Sequence, residues 1–357
     1  MKVNKSIIML ILVIFLFSLN SVWAGEIDDM ASDDTGQIAL SSNDKIIEDN
    51  LKTSEGNVAL GESDDSAKSD VSLKSSDSDM LSSSGEFGEL QNLIDDASEN
   101  SIISLGHNYT YAIGTDTITE GISINKNLTI NGNGFAINAQ GKSRIFNIES
   151  GIKEIVLDSD IILDNNESSD SIYAVKLDVN GLVLDGNGYA IDGNNNFCML
   201  LCTGENITIK NIIIKNIKFQ NPLMKKGSWS ALTNCKGQLN IINSIFKDNY
   251  GFGGAISNYG TLGIIQCKFI HNSAGRVGGA IYNDGGLIMI NNSIFINNEA
   301  IHDGGAIYAP RGLLNIRNSE FSNNFAGYDG GAIYSRDNVL NLKNCTFKDN
   351  KYDDVCK

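Results

Sequence analysis

The stretch "IHDGGAIYAPRGLLNIRNSEFSNN", residues 301–324, contains the pattern on which the fold depends. It combines a double glycine, an alternating apolar run, and a Phe followed three residues later by an Asn. The segment Gly-Gly-Ala-Ile occurs four times, at 253–256, 278–281, 304–307 and 330–333. These copies are 25, 26 and 26 residues apart. A fixed period of this size indicates a stack of like structural units.

Aligned on this period, the copies show apolar residues at every second position, which is typical of strands with one buried face. One strand has two such columns, Leu239, Leu262, Ile288, Leu314, Leu340 and Ile241, Ile264, Ile290, Ile316, Leu342. A second strand follows the double glycine, with the buried column Leu232, Ile256, Ile281, Ile307 and Ile333. Alternation then places two further columns on the outer face, Ala231, Ala255, Ala280, Ala306, Ala332 and Thr233, Ser257, Tyr282, Tyr308, Tyr334.

Short strands joined by Gly and Asn corners predict an all-β parallel β-helix, in which each coil hydrogen-bonds to the next about 4.8 Å away. Like residues then stack on like residues. We expect an aromatic column in or near the core, formed by Phe246, Phe269, Phe295, Phe321 and Phe347. We also expect a structural ladder of side-chain amides, each donating to the next, formed by Asn249, Asn272, Asn298, Asn324 and Asn350. A leucine-rich repeat shares the period but needs a different Leu and Asn spacing.

The start of the chain differs from the repeats. Residues 1–24 are typical of a secretory signal peptide, since Lys2 and Lys5 precede an apolar run that ends at Leu19, and Ala24 is a small residue at the cleavage position. The run is short for a membrane span, which needs about 20 apolar residues. We therefore expect cleavage, and no second apolar run predicts a membrane span in the mature chain.

Residues 25–85 are predicted to be an acidic, Ser/Asp-rich disordered spacer without aromatic residues. Residues 25–86 hold 16 acidic residues and 4 lysines, so −12 of the net charge of −16 lies in this segment. Because like charges repel, nucleic acid is excluded as its expected partner. The β-helix is expected over 102–357, with regular coils of about 26 residues from about residue 230.

Residues 86–101 are predicted to contain a short capping helix. The apolar residues that recur at helical spacing are Phe87, Leu90, Leu93, Ile94 and Ala97. A helix at this place would cover the open end of the β-helix, which otherwise presents an unpaired strand edge.

The pairing of Gly-Gly-Ala-Ile with Phe-x-x-Asn resembles the repeats of the chlamydial polymorphic outer-membrane proteins. The wider layout resembles the adhesin-like surface proteins of methanogenic archaea: a leader, a Ser/Asp-rich spacer, "FGELQNLIDDASENSIISLGHNYTY" (87–111), "GNG" coils and then Gly-Gly-Ala-Ile coils. The resemblance implies a right-handed, single-stranded, pectin lyase-like parallel β-helix. It also implies display at an archaeal cell surface and a role in attachment.

Tyr282, Tyr308 and Tyr334 are the candidate ligand-binding residues. If they point outward, they form an aromatic strip beside Asp303 and Asp329, and aromatic faces with polar neighbours suit sugar rings. The alternative is a ladder that only covers and stiffens the sheet.

Asp303 and Asp329 each precede a double glycine, one coil apart. Two carboxylates stacked about 5 Å apart are near the spacing of a retaining glycosidase. They are thus the catalytic acids if the chain is an enzyme, or the ligands of a bridging Ca²⁺. Otherwise we expect no catalytic residue, cofactor or metal site, since the three histidines lie in different contexts of the repeat and lack metal-ligand spacing: His107, His271 and His302.

The six cysteines do not predict a disulfide framework. Cys267 and Cys345 share a column but lie three coils apart, about 14 Å, whereas a disulfide needs Cα atoms within about 7 Å. A bridge between Cys345 and Cys356 remains open. Mostly free thiols in a secreted chain indicate a reducing habitat.

Sequence and resemblance together predict a secreted or cell-surface protein that mediates attachment without catalysis. Its expected partners are glycans, the surfaces of other cells, or its own cell envelope. Two alternatives remain open. The first is a polysaccharide lyase or glycosidase, because β-helices also host such enzymes, and the second is a passive structural component of the envelope.

Overall fold

The structure, a computed structural model, describes residues 84–140, 142–164, 173–196, 199–219 and 230–357. All of them belong to one unit, Val71–Lys357. The predicted signal peptide and all of the predicted spacer except Ser84 and Gly85 lie outside the described residues. Within these residues the chain forms a parallel β-solenoid of short strands with one short helix near its start.

The coils contribute strands to three parallel sheets. An eleven-stranded sheet contains Gly85–Glu86, Tyr109–Thr110, Ala136–Asn138, Ile161–Asp164, Ala190–Asp192, Ile213–Lys215, Ile245–Lys247, Lys268–Ile270, Ile294–Ile296, Glu320–Ser322 and Thr346–Lys348. A four-stranded sheet follows it in the later coils and contains Tyr250–Gly251, Ser273–Ala274, Glu299–Ala300 and Phe325–Ala326.

The third sheet has eighteen strands and takes up to two strands from each coil. In the earlier coils it contains Ser101–Ser104, Ile122–Ile124, Leu128–Asn131, Phe146–Ile148, Glu154–Leu157, Val175–Leu177, Val183–Asp185, Leu200–Cys202 and Ile207–Lys210. In the later coils it contains Leu232–Asn234, Gln238–Ile242, Ile256–Asn258, Thr261–Ile265, Ile281–Asn291, Ile307–Arg317, Ile333–Tyr334, Asp337–Lys343 and Val355–Cys356.

Strands pair in parallel with the equivalent strand of the next coil, so each column of the repeat forms one line along the solenoid. Phe269 pairs with Phe295, and Phe295 pairs with Phe321. Their ring centroids are 4.7 Å apart at both steps, the planes differ by 2° and 4°, and all three rings are fully buried. The predicted parallel β-helix is confirmed, and its register stacks like residues on like residues.

The predicted helix is confirmed as Phe87–Asp96. Phe87, Leu90 and Ile94 join the hydrophobic core, whereas Leu93 is 43% exposed. Three of the five apolar residues at helical spacing therefore face the first coils, and Leu93 lies toward the solvent side of the helix. The fifth, Ala97, is the C-cap just beyond the helix and packs against the core.

The helix also provides hydrogen-bond partners for the backbone at the edge of the strand Ile122–Ile124. Gln91 Oε1 accepts the N–H of Ser123 at 2.6 Å, and Gln91 Nε2 donates to the Ser123 carbonyl at 3.2 Å. An unpaired strand edge is a template for pairing with other chains. The side chain of Gln91 replaces the missing backbone partner at this edge.

The asparagines after each Phe form a buried ladder. Asn272 Nδ2 donates to Asn298 Oδ1 at 3.0 Å and to the Phe246 carbonyl at 2.9 Å, and the Asn272 N–H also donates to Asn298 Oδ1. Asn298 makes the same bonds to Asn324 and to the Phe269 carbonyl. Each amide thus bridges three coils, which satisfies its polar atoms in an interior where unpaired ones are costly.

A second amide ladder lies beyond the double glycine and was not expected from the sequence. Asn234 Nδ2 donates to Asn258 Oδ1 at 2.8 Å, and Asn258 Nδ2 donates to Asn283 Oδ1 at 2.7 Å, with all three side chains fully buried. The ladder begins next to Cys202, which pairs with Asn234 in register. Asn234 Oδ1 has no hydrogen-bond partner among the described residues.

Two of the cysteines occupy a column of the repeat, here called the serine column, that holds serine in the coils between them. The N–H of Cys267 donates to Ser293 Oγ and the N–H of Ser293 donates to Ser319 Oγ, both at 3.1 Å. Cys267 Sγ lies 3.2 Å from the Ile265 carbonyl, where a serine would donate its hydroxyl. Burial raises the pKa of this thiol to about 12. Cys267 therefore acts as a substitute for serine in the column.

The described cysteines are all free thiols: Cys202, Cys235, Cys267, Cys345 and Cys356. The bridge between Cys345 and Cys356 that the sequence left open is thus not formed in the structure. Cys345 occupies the serine column, and its Sγ lies 3.4 Å from the Lys343 carbonyl.

The alanines after the double glycine face the core, and the expectation that they lie on the outer face is wrong. Ala255, Ala280 and Ala306 are fully buried. They lie where the chain leaves the corner, and the Ala280 N–H donates to the Ala306 carbonyl at 2.9 Å. The corner turns the chain so that Ala and the following Ile both face inward, which strict alternation does not describe.

In the earlier coils, the "GNG" corners are held by carboxylate and amide side chains. Asp185 Oδ1 accepts the N–H of Asn187 at 2.9 Å, which supports the positive φ of 51° at Asn187. Burial opposes ionisation of Asp185. This backbone bond, Lys210 at 3.0 Å and Asn211 outweigh burial and hold the pKa of the carboxyl below its ordinary value.

Replacing Asn298 by Ala tests the buried ladder. The change removes the acceptor of the Asn272 N–H, one of the two bonds of the Asn272 side-chain amide, and the side-chain donor to the Phe269 carbonyl, all in the core. Such groups cost about 1–3 kcal/mol each, so we expect the free energy of unfolding in urea to fall by about 3 kcal/mol or more. The control is Asn315→Ala, on the outer face, where water can replace the single amide bond from Asn341. A similar loss in both variants would contradict the role of the ladder.

Replacing Gly305 by Ala tests the corner. A Cβ at this residue would lie 2.0 Å from the Gly331 carbonyl oxygen, so the coil contact at the corner has to open. We expect a loss of about 2 kcal/mol or more, because strain in close-packed backbone gives the large mutational effects. Gly106→Ala is the control, since a Cβ there meets no atom within 4 Å. Thermal unfolding should separate the two variants clearly, and equal melting temperatures would refute the contact.

Candidate functional site

The structure brings the three candidate tyrosines into one stack. The rings of Tyr282 and Tyr308 lie 5.9 Å apart with planes 6° from parallel, and those of Tyr308 and Tyr334 lie 5.0 Å apart at 14°. Each sits on the strand after a double glycine, in register with the next coil. The in-register strands therefore determine the spacing of the stack.

The stack covers the faces of its rings. Tyr308 lies between its two neighbours, and Tyr259 contacts the other side of Tyr282 edge-on at 6.2 Å. Tyr334 is only 8% exposed, and Tyr282 and Tyr308 are half-buried. The surface thus offers ring edges and hydroxyl groups to a ligand. The flat faces considered from the sequence are not presented at Tyr308.

Asp303 and Asp329 lie on adjacent coils beside this stack. Asp303 is half-buried and its Oδ1 accepts the N–H of Asp329 at 3.2 Å. Asp329 is exposed. One carboxylate oxygen of Asp303 is therefore already used to hold the corner of the next coil, and the other accepts no hydrogen bond from the described residues.

The tyrosine and aspartate columns influence each other. Burial raises the pKa of Tyr308, and the neighbouring Tyr334 and the negative charge of Asp303 raise it further, while Arg276 acts in the opposite direction. The hydroxyl of Tyr308 is therefore held in its protonated, donating form. A row of hydroxyl donors beside carboxylate acceptors can bind neutral or basic polyhydroxyl ligands by hydrogen bonds.

A further column was missed in the sequence because its residues differ from coil to coil. It contains Arg276, His302 and Tyr328, each two residues before a double glycine, and Phe252 lies beside it, directly before the first double glycine. The Arg276 guanidinium lies 5.5 Å from the Phe252 ring centre, and the His302 and Tyr328 rings stack at 5.2 Å. This column, here called the corner column, extends the polar and aromatic surface beside Asp303.

The structure separates the three histidines. His107 packs against Tyr109, with ring centroids 4.6 Å apart, His271 contacts Asn297 at 2.9 Å, and His302 is in the corner column. Among the described residues, no three His, Cys, Asp or Glu side chains come together as metal ligands would. The same residues include no helix with the length and apolar character to cross a bilayer.

Comparison with protein families identifies the repeat. Residues 266–284, 292–310 and 318–336 each match the model of the Chlamydia polymorphic membrane protein (Chlamydia_PMP) repeat. Each match contains one Phe-x-x-Asn and one Gly-Gly-Ala-Ile-Tyr segment, and together they include all five candidate binding residues. Neither the curated proteins nor the solved structures contain a match to the chain. The chain is a parallel β-solenoid in which three coils carry this repeat.

The raised pKa of Tyr308 gives a test of the site. The folded chain holds this proton more tightly than the unfolded chain, so the stabilisation is complete below the ordinary tyrosine pKa of about 10 and is lost as the pH rises through the raised value. A pH titration followed by phenolate absorbance measures this pKa. The difference between the curves of the wild type and Tyr308→Phe should show one tyrosine that ionises above the ordinary value. Asp303→Asn removes a nearby negative charge and should move the pKa of Tyr308 back toward about 10. An unchanged titration in that variant would contradict the electrostatic contact between Asp303 and Tyr308.

Proposed function

We propose that this chain is a secreted or cell-surface, adhesin-like β-helix protein that attaches to glycans or cell surfaces without catalysis. The observation that carries the proposal is the stack of Tyr282, Tyr308 and Tyr334 beside Asp303 and Asp329. All five residues lie in segments that match a repeat named for a membrane protein. A surface location, an archaeal origin and the predicted leader peptide belong to the same proposal.

The geometry supports an extended ligand. Three successive coils present a tyrosine at the coil spacing, and the last two also present an aspartate, so a polymer lying along the solenoid can repeat one contact on more than one coil. Repeated weak contacts of this kind raise the overall affinity of attachment, provided that the spacings agree. A glycan chain offers the hydroxyl groups that such a row of donors and acceptors requires.

The second candidate is a polysaccharide lyase or glycosidase with Asp303 and Asp329 as the acids. The observation in its favour is that the two residues lie on adjacent coils, with Asp303 Oδ1 bonded to the Asp329 backbone. A bridging Ca²⁺ belongs to this candidate. A third candidate, a passive envelope component, rests on the continuous ladders, which suit a stiff rod.

The test uses the full chain and a panel of neutral, basic and acidic polysaccharides, with and without Ca²⁺. We expect retention on at least one polysaccharide and no new reducing ends or unsaturated products. Changing Tyr282, Tyr308 and Tyr334 together to Phe keeps the ring stack and removes three hydroxyls. Each lost hydrogen bond costs about 1 kcal/mol, so the affinity should fall at least tenfold.

The matched control is Tyr189→Phe, which removes a hydroxyl from an earlier coil outside the matched repeats. It should bind as the wild type does. Product from any polysaccharide would favour the enzyme, and loss of that product in Asp303→Asn and Asp329→Asn would assign the acids. Absence of binding to every polysaccharide and to whole cells would leave the passive component as the function.

A further inference from the structure

A second surface feature lies on the coils before the tyrosine stack. It is an open cleft of about 590 Å³ lined by Lys218, Asp248, Asn249, Tyr250, His271 and Ser273. Ligand sites in proteins typically have about 300–1,000 Å³ and a few converging polar groups. This cleft, here called the lysine cleft, has both properties.

The columns of the repeat explain why these residues meet. Lys218, Tyr250 and Ser273 are successive members of one column, and Tyr250 and Ser273 lie in the four-stranded sheet. Asp248 and His271 are the left-handed corner residues just before it, with φ of 56° and 52°. Asn249, the first amide of the buried ladder, forms the floor and is 1% exposed.

Three polar groups of the lysine cleft are unused within the protein. The ammonium of Lys218 and the hydroxyls of Tyr250 and Ser273 have no hydrogen-bond or ion-pair partner among the described residues. Lys218 is half-buried, which places part of its side chain in the wall of the cleft. Unpaired donors on a partly desolvated surface favour a ligand that supplies acceptors.

The remaining charged groups balance each other. Asp248 Oδ1 lies 3.7 Å from His271 Nδ1, and Asp248 Oδ2 lies 3.7 Å from Lys247 Nζ. Asn297 Nδ2 lies 2.9 Å from His271 Nε2 and fixes the ring. Lys218 is therefore the one charged residue of the lining without a partner of opposite charge among the described residues. The cleft is thus locally positive, whereas the whole chain has a net charge of −16. A ligand with one negative charge therefore fits the cleft.

We propose that the lysine cleft binds a sugar acid, that is, a carboxylate carried on a ring with several hydroxyls. The carboxylate pairs with Lys218 Nζ, and the ring hydroxyls bond to Tyr250, Ser273 and the Asp248 carboxylate. A sulfate, with acceptors alone, would face Asp248 without a donor to offer it, and a phosphate dianion would bring more negative charge than Lys218 balances. A neutral sugar would leave Lys218 unpaired.

This site is separate from the tyrosine stack. The six residues that line the lysine cleft include none of the stacked tyrosines. Its Tyr250 and Ser273 lie in the four-stranded sheet, whereas Tyr282, Tyr308 and Tyr334 lie in the eighteen-stranded sheet. The proposal therefore does not depend on glycan binding by the stack. The two sites are tested with different variants, so the failure of one leaves the other intact.

Isothermal titration calorimetry on the full chain is the test. The ligands are D-glucuronate and D-galacturonate, the neutral sugars D-glucose and D-galactose, and short oligosaccharides that end in a sugar acid. We expect saturable one-to-one binding of at least one acid and none of its neutral parent at the same concentration. Binding of the oligosaccharide as well as the free acid would identify a polysaccharide end as the source, and binding of the free acid alone would identify a small molecule.

Lys218→Met removes the ammonium and keeps the apolar stem. A hydrogen bond to a charged group is strong enough that affinity should fall about tenfold to a hundredfold. Tyr250→Phe should lower it about fivefold. The matched control is Lys351→Met, because Lys351 occupies the same column of the repeat several coils further on, outside the cleft.

Three results would overturn the proposal. They are the absence of saturable binding to either acid, equal binding of the neutral sugars, and equal losses in Lys218→Met and Lys351→Met. Asp248→Asn is a second variant of the cleft, and it keeps the proposal testable if Lys218→Met fails to fold. It removes a negative charge near the ligand carboxylate, so it should lower affinity less than Lys218→Met does. A greater loss would place the essential contact elsewhere.

Discussion

Buried amide side chains can exist in this protein only as columns, because each amide takes its hydrogen-bond partners from the coils before and after it. Asn272 and Asn298 are interior polar residues that would destabilise an isolated coil. In the stack they fix its register instead, since a slip of one residue would leave each amide unpaired and reverse the faces of every strand. The Phe stack and the serine column follow the same geometry.

The sequence predicts those features that depend on contacts between residues one period apart, because the repeat shows which residues of adjacent coils lie next to each other. The parallel register, the Phe stack and the ladder after each Phe are of this kind. The inward alanines such as Ala280 depend on how the chain turns after a double glycine, and hydrophobic alternation does not describe that turn. The covered faces of Tyr308 depend on side-chain torsions, and the lysine cleft depends on Lys218, which precedes the regular period.

The columns of the solenoid separate scaffold from surface. Columns with one residue type in every coil, such as the Phe and Ala columns, lie inside and hold the coils together. Columns whose residues change from coil to coil, such as that of Arg276, His302 and Tyr328, lie at the corners, where substitution costs little stability. Apart from the buried Asn249, the lysine cleft is lined by residues of this second kind of column. The two proposed sites thus differ: the tyrosine stack uses a residue that the repeat keeps, and the lysine cleft uses residues that change from coil to coil.

Asn234 marks a boundary within the solenoid. Its Oδ1 faces the coil of Cys202 without a hydrogen bond, whereas its Nδ2 is bonded toward the regular coils. The coils of Asn234, Asn258 and Asn283 are joined by both amide ladders, whereas the second ladder does not extend to the coil of Cys202. A mechanical load along the axis therefore meets one side-chain hydrogen bond fewer in this column at the Asn234 boundary than at each of the next two coil contacts.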